Sequence, residues 1–236
     1  MLLLAVVLAA CPGGRGDPVV DAGALELAQL HEEMSQVASA QRTADTALGA
    51  SVRAVRELDA IVGALRNLET VDAARGTWQG VTDAFAAAHP ETLRDLLVEL
   101  AFAVDRARGS LREARGHLEG DWEQRYLDAE DEVLAAVRSY AEAADRFGQA
   151  INAHWPTYGD LHARTATFVE QAWFYRNSRE AADAYELAVQ PLLQALADAQ
   201  AAVAAARDER DDAGTEVNVA IAAAREVWAA RPDAAA

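Results

Sequence analysis

LAQLHEEMSQVASAQRTADTALGASVRAVRELDAIVGAL, residues 27–65, holds the longest unbroken periodic pattern in the chain. Leu27, Leu30, Met34, Val37, Gln41, Ala44, Leu48, Ser51, Val55, Leu58, Val62 and Leu65 alternate in steps of three and four. An α-helix turns once every 3.6 residues, so these steps line one face; a half-buried strand needs alternation every second residue. The series is the a/d pattern of a coiled-coil-like seam. Gln41 and Ser51 interrupt its apolar character and either set the register or sit at the edge of the seam. Asp21 supplies an N-cap oxygen. The pattern predicts one helix over 22–72, about 75 Å long at 1.5 Å per residue.

The same spacing recurs downstream. Arg75-Gly76-Thr77 to Gly80 predicts a loop, followed by a short helix through Ala88, and His89-Pro90 restarts the chain with proline in a first helical turn. Leu93, Leu97, Leu100, Val104, Ala107, Leu111, Ala114 and Leu118 form one stripe. Trp122, Tyr126, Ala129, Val133, Ala136, Tyr140, Ala143, Phe147 and Ala150 form another. The phase slips between them at Gly120-Asp121, which reads as a C-cap and N-cap pair or as a stutter within one helix. Trp155-Pro156 predicts the clearest stop, because the residue before proline avoids helical geometry, with a shorter helix over 158–176. A last stripe runs from Ala182 to Val227, kinked at Pro191, and its near-uniform AQAAVAAA stretch (199–206) predicts close approach of a neighbouring helix. Arg231-Pro232 ends it. No strand alternation persists anywhere. The expected fold is all-α: an elongated antiparallel helical bundle with coiled-coil-like heptad seams, spectrin-like or four-helix-like. The expected organisation is a leader remnant over 1–10, a tether over 11–21, a single bundle over 22–231 and a frayed tail over 232–236.

Composition agrees. Hydrophobic residues make up 52 % of the 236, but only 6 % are aromatic, and much of the apolar count is alanine, the best helix former. The net charge is −17, with 38 acidic residues against 21 basic ones, all arginine. Such a chain is repelled by phosphate backbones and by anionic headgroups, so nucleic-acid binding is excluded as an expectation and direct adhesion to anionic lipid is disfavoured. Acidic runs such as Glu130-Asp131-Glu132 read as solvated helix faces.

The chain opens with an uncharged apolar run, Leu2 to Ala10, that ends at Cys11, the sole cysteine. Nine residues are too few to span a bilayer, which takes about 20, and match a signal-peptide hydrophobic region of about 7 to 15. Leu8-Ala9-Ala10-Cys11 resembles the lipobox of bacterial lipoprotein precursors: an aliphatic residue, two small residues, then cysteine. The resemblance covers the first eleven residues only. It implies that Cys11 is acylated on its thiol and becomes the new N-terminus, and that two or more acyl chains such as palmitate anchor the mature chain to the membrane. A signal peptide begins with a positive n-region; Met1 runs straight into Leu2, so the expected true start lies upstream. PGGRGDPVVDAG then reads as a flexible tether, and its Arg15-Gly16-Asp17 triplet as a chance product of its composition.

Motifs for chemistry are sparse. No Glu-x-x-His pair suits a di-iron bundle, and no His-Glu-x-x-His zinc helix, Gly-x-Ser-x-Gly elbow or Gly-rich phosphate loop occurs. His31 and Met34, three apart, read as a seam residue and its rim rather than as metal ligands. His89, His117, His154 and His162 fall at expected helix ends or junctions. No enzyme, metal or cofactor is expected.

One constellation stands out. His154, Trp155, Tyr158, Asp160 and His162 are followed by Trp173, Tyr175 and Arg176, so a chain poor in aromatics concentrates its rings over 154–176. Either the rings plug an alanine-rich bundle with their polar edges at the surface, or they form a pocket at a chain turn that binds a small ligand or peptide. The leading expectation is a lipid-anchored extracytoplasmic protein of the cell envelope that acts as an interaction, spacer or scaffold module for a protein partner. The alternative is an extracytoplasmic small-ligand or metal-binding lipoprotein using 154–176. Oligomeric state is left open.

Overall fold

A computed structural model describes residues 22–66, 71–171, 174 and 178–232. Among them the chain forms α1 (Ala22–Arg66), α2 (Val71–Ala87), α3 (Pro90–His117), α4 (Asp121–Gln171), α5 (Ser178–Val189), a 3₁₀ turn (Gln190–Leu192) and α6 (Leu193–Ala229). No strand occurs among the described residues. The protein is all-α and its helices pack as bundles.

The chain divides into two compact units. The first joins residues up to Ala44, Asp95–Ala144 and those from Asp208 onward; the second joins Asp45–Arg94 and Asp145–Arg207. In the first unit, Glu26, Glu33 and Gln36 on α1 meet His117 and Arg106 on α3, so rising numbers on one helix meet falling numbers on the other. Arg115 bridges to Asp128, and Asp105 to Arg138, so α3 and α4 are also antiparallel. Trp122 and Tyr126 meet Trp228, while Tyr140 lies beside Gly214, which sets α6 antiparallel to α4. The result is an up-down-up-down four-helix arrangement.

The α1 stripe behaves as its spacing requires. Leu30, Met34, Val37, Ala44, Leu48, Val55, Leu58 and Val62 are all buried. Gln41 and Ser51 are buried with them, on the seam itself rather than at its edge. The α3 stripe from Leu93 to Ala114 is buried too. Each large aliphatic side chain so placed contributes about 1.5–3 kcal/mol of transfer free energy.

Several local expectations are corrected. Helix α1 is described from Ala22 through Arg66, and residues 67–70 of the expected 22–72 helix lie outside the described residues. The predicted loop at 75–80 is helical, because α2 runs from Val71 to Ala87 through Gly76 and Gly80. Gly120-Asp121 is a true break: α3 ends at His117 and α4 starts at Asp121. Trp155-Pro156 does not stop the chain. Pro156 lies inside the 51-residue α4. A proline there removes one helical hydrogen bond and crowds the preceding turn. The helix persists because Ile151, Tyr158, Leu161 and Thr165 are buried on either side of it. The Pro191 kink is instead a 3₁₀ turn that separates α5 from α6.

The alanine-rich stretch on α6 also departs from expectation. Of residues 199–206 only Ala199 is buried; the others are partly or wholly exposed. Side chains this short leave space beside them, and a cleft opens there.

Candidate functional site

The described members of the predicted constellation, His154, Trp155, Tyr158, Asp160 and His162, lie within α4, in the second unit. His154 and His162 are therefore mid-helix residues. At 100° per residue, Trp155, Tyr158 and His162 share one face of the helix, while Asp160 projects to the other side and is exposed. Trp173, Tyr175 and Arg176 lie outside the described residues, as does Cys11.

Trp155 and His162 are joined by two rings that the sequence reading did not single out. Trp155 stacks on Phe85 at 5.0 Å, Phe85 on His162 at 4.6 Å, and His162 on Trp78 at 4.8 Å. The planes differ by only 23–27° along this series. Rings from α2 and α4 thus interleave as a four-membered zipper. Trp78 and Phe85 stand seven apart, two turns of α2, which places them on one face. That spacing was the available signal, and it was masked by the expectation of a loop at 75–80.

The His162 Nε2 is buried and has no hydrogen-bond partner among the described residues. Burial pushes its pKa below the ordinary histidine value. The imidazole is consequently held neutral and acts as a flat ring in a stack. Beneath the zipper, the Thr165 hydroxyl lies 2.7 Å from both the Leu161 carbonyl and the Tyr185 hydroxyl. Tyr185 packs its ring on Phe168. Arg164 donates to the Ala188 carbonyl at 2.9 Å, covering the C-terminal end of α5 with a cation.

Tyr158 departs from the zipper. It is fully buried, and it faces Asp59 of α1 rather than α2. Burial, and then the Asp59 charge, push its pKa up to about 12. Asp59 itself is raised by burial, an effect that a hydrogen bond from Gln200 of α6 partly opposes.

A second polar cluster, in the first unit, was not foreseen. Glu130 is buried, which corrects its reading as part of a solvated acidic run. Helix rotation separates the three neighbours: Glu132 is exposed, Asp131 bridges to Arg115, and Glu130 turns inward. Tyr126 hydrogen-bonds to Glu130, and its hydroxyl lies 2.9 Å from His31 Nε2. A carboxylate only accepts, so Tyr126 donates to Glu130 and accepts from the His31 Nε2–H. The His31 ring packs edge-on against Tyr126 and Trp228. Trp122 stacks on Tyr126 and donates its indole N–H to the Val227 carbonyl at 2.9 Å, in the last turn of α6. Met34 is a core residue and His31 its partly buried neighbour.

Both clusters are built for packing and hydrogen bonding. Among the described residues no group of three or more His, Cys, Asp or Glu side chains is arranged to hold a metal ion. No described helix is long and apolar enough to cross a membrane. Comparison of the chain with protein-family models, with curated proteins and with solved structures gives no match in any of the three.

Proposed function

We propose that this chain is a lipid-anchored protein on the extracytoplasmic face of a cell envelope, and that its helical units serve as an interaction, spacer or scaffold module. The observation that carries this reading is the sequence Leu8-Ala9-Ala10-Cys11: an apolar run, two small residues and the sole cysteine, followed at once by a Gly- and Pro-rich tether. An anchored module needs no span of its own, and no described helix qualifies as one. The charge of −17 favours cationic or neutral protein partners over anionic surfaces.

Detergent phase partitioning of the expressed chain tests the anchor. The parent is expected in the detergent phase and Cys11→Ser in the aqueous phase. A variant that still partitions with detergent refutes acylation at Cys11. In-cell crosslinking tests the interaction role. A defined crosslinked species, present for the parent and lost with Cys11→Ser, is expected; a chain that yields no crosslinked species in either form counts against the module reading.

A further inference from the structure

In the first unit, the outer face of α3 leaves large apolar side chains in solvent. Phe102 is 62 % exposed and Val98, one turn earlier, 46 %. An open groove of about 500 Å³ runs beside Phe102, between α1 and α3. Gln36, Ala40 and Thr43 line it from α1, and Glu99, Phe102 and Arg106 from α3. The groove has few hydrogen bonds to give. The Thr43 hydroxyl donates to the Ser39 carbonyl at 3.1 Å. The Gln36 amide donates to Glu32 and accepts from Arg106. An extended chain laid there would leave its own backbone groups without protein partners, whereas a helix satisfies them internally. A furrow between two antiparallel helices therefore suits a third helix, docked by its side chains.

Charge sets the sign of that helix. Steps of three and four place Glu32 on the α1 face that carries Gln36 and Thr43, and Asp95 on the α3 face that carries Glu99, Phe102 and Arg106. Arg106 is already engaged, with its Nε 3.1 Å from Glu33 and a second nitrogen 2.8 Å from Gln36. Arg42 and Arg94 are each rotated by about 100° from Thr43 and Asp95, away from these faces. Glu32, Asp95 and Glu99 thus surround the groove as exposed carboxylates, beside an exposed phenyl ring. Such a surface complements a segment that is both apolar and cationic. The net charge of −17 disfavours a second copy of this chain as the occupant.

We propose that the groove between α1 and α3 docks a cationic amphipathic helix of a partner protein. The helix lays aliphatic or aromatic side chains against Phe102 and Val98 and sets lysine or arginine against Asp95 and Glu99. The proposal rests on the interaction reading above and names its surface; it does not depend on the lipid anchor.

The test uses the full chain carrying Cys11→Ser, titrated with a synthetic helix that bears leucine along one face and lysine along the other. The methyl resonances of Val98 are the readout. The helix is expected to shift them saturably. The same helix with glutamate in place of lysine is expected not to bind, and one with alanine in place of leucine to bind at least about tenfold more weakly. Phe102→Ser, at an exposed position that the core does not need, is expected to weaken binding at least about tenfold. Asp95→Asn combined with Glu99→Gln is expected to weaken it about threefold or more. No saturable shift at Val98 overturns the proposal. Equal binding of the alanine helix, or unchanged binding to Phe102→Ser, overturns it too, because attraction between net charges then accounts for the association. A crosslinked species in cells without helix binding at Val98 refutes this surface and leaves the interaction reading in place.

Discussion

The Nε2 of His31 on α1 lies 2.9 Å from the hydroxyl of Tyr126 on α4, a contact that bridges 95 positions of sequence. With Glu130 it forms a chain of three polar side chains against Trp228. Burial raises the Glu130 pKa above its ordinary value, and the Tyr126 hydrogen bond partly opposes the rise. The folded state therefore holds the Glu130 proton more tightly than the unfolded state does. This contribution is full below the ordinary carboxylate range and is lost as pH rises through the folded value. Glu130→Gln retains shape and hydrogen-bonding capacity without the charge. It is expected to raise the Tm at about pH 7 and to change it little near pH 4. A Tm loss at pH 7 equal to that at pH 4 would contradict the assignment. Tyr126→Phe removes the hydroxyl that joins the buried Glu130 to the partly buried His31 and is expected to cost about 1–3 kcal/mol in denaturant unfolding.

Histidines act in the opposite direction. Burial lowers the pKa of both His31 and His162. Each is neutral in the fold, so stability is full above the ordinary histidine value and declines as pH falls through the lowered one. His162→Phe preserves the stack between Trp78 and Phe85 and removes the titration. Thermal melts from about pH 7 down to pH 5 are expected to show a shallower acid decline for the variant than for the parent. Equal declines would show that His162 is not held neutral by the stack.

Pro156 offers a direct measure of how far tertiary packing outweighs local preference. Its ring is exposed, so replacement removes no buried contact. A proline in a helix interior costs about 3 kcal/mol relative to alanine. Pro156→Ala is expected to stabilise the protein by about 1–3 kcal/mol in urea unfolding. A neutral or destabilising result would mean that the α4 backbone depends on the proline.

Two glycines of α4 should respond with opposite signs. A Cβ on Gly159 meets nothing within 4 Å, whereas one on Gly148 comes within 2.7 Å of the buried Leu93 Cδ2. Gly159→Ala is expected to stabilise by about 0.5–1 kcal/mol through helix propensity alone. Gly148→Ala gains the same propensity but forces Leu93 out of its place, and overpacking costs about 1–3 kcal/mol. A net loss is expected in matched denaturation curves. A gain for both would show that α3 and α4 yield freely at that contact.

Much of this architecture was legible in the order of residues. The three-four spacing marked the inward face of α1, down to the polar members Gln41 and Ser51, because a helix rotates each residue by a constant angle. It also marked the buried faces of α3 and α4. The candidate site was legible only in part. Trp155, Tyr158 and His162 share a helix face that periodicity could show, yet the expected break at Pro156 concealed it. Trp78 and Phe85 were hidden by glycines that suggested a loop. Asp59 and Gln200 carried no signal, since single polar residues on long helices look like solvated ones.

Helical class and the face that each helix turns inward follow from composition and periodicity, which are properties of neighbours along the chain. Where helices run on or break, and which side chains meet, were decided by packing between helices distant in sequence. Burial of Ile151, Tyr158 and Leu161 carries α4 through Pro156 against its local preference. The relative register of α1, α4 and α6 brings Asp59, Tyr158 and Gln200 to one cleft, and that register depends on many distant contacts at once.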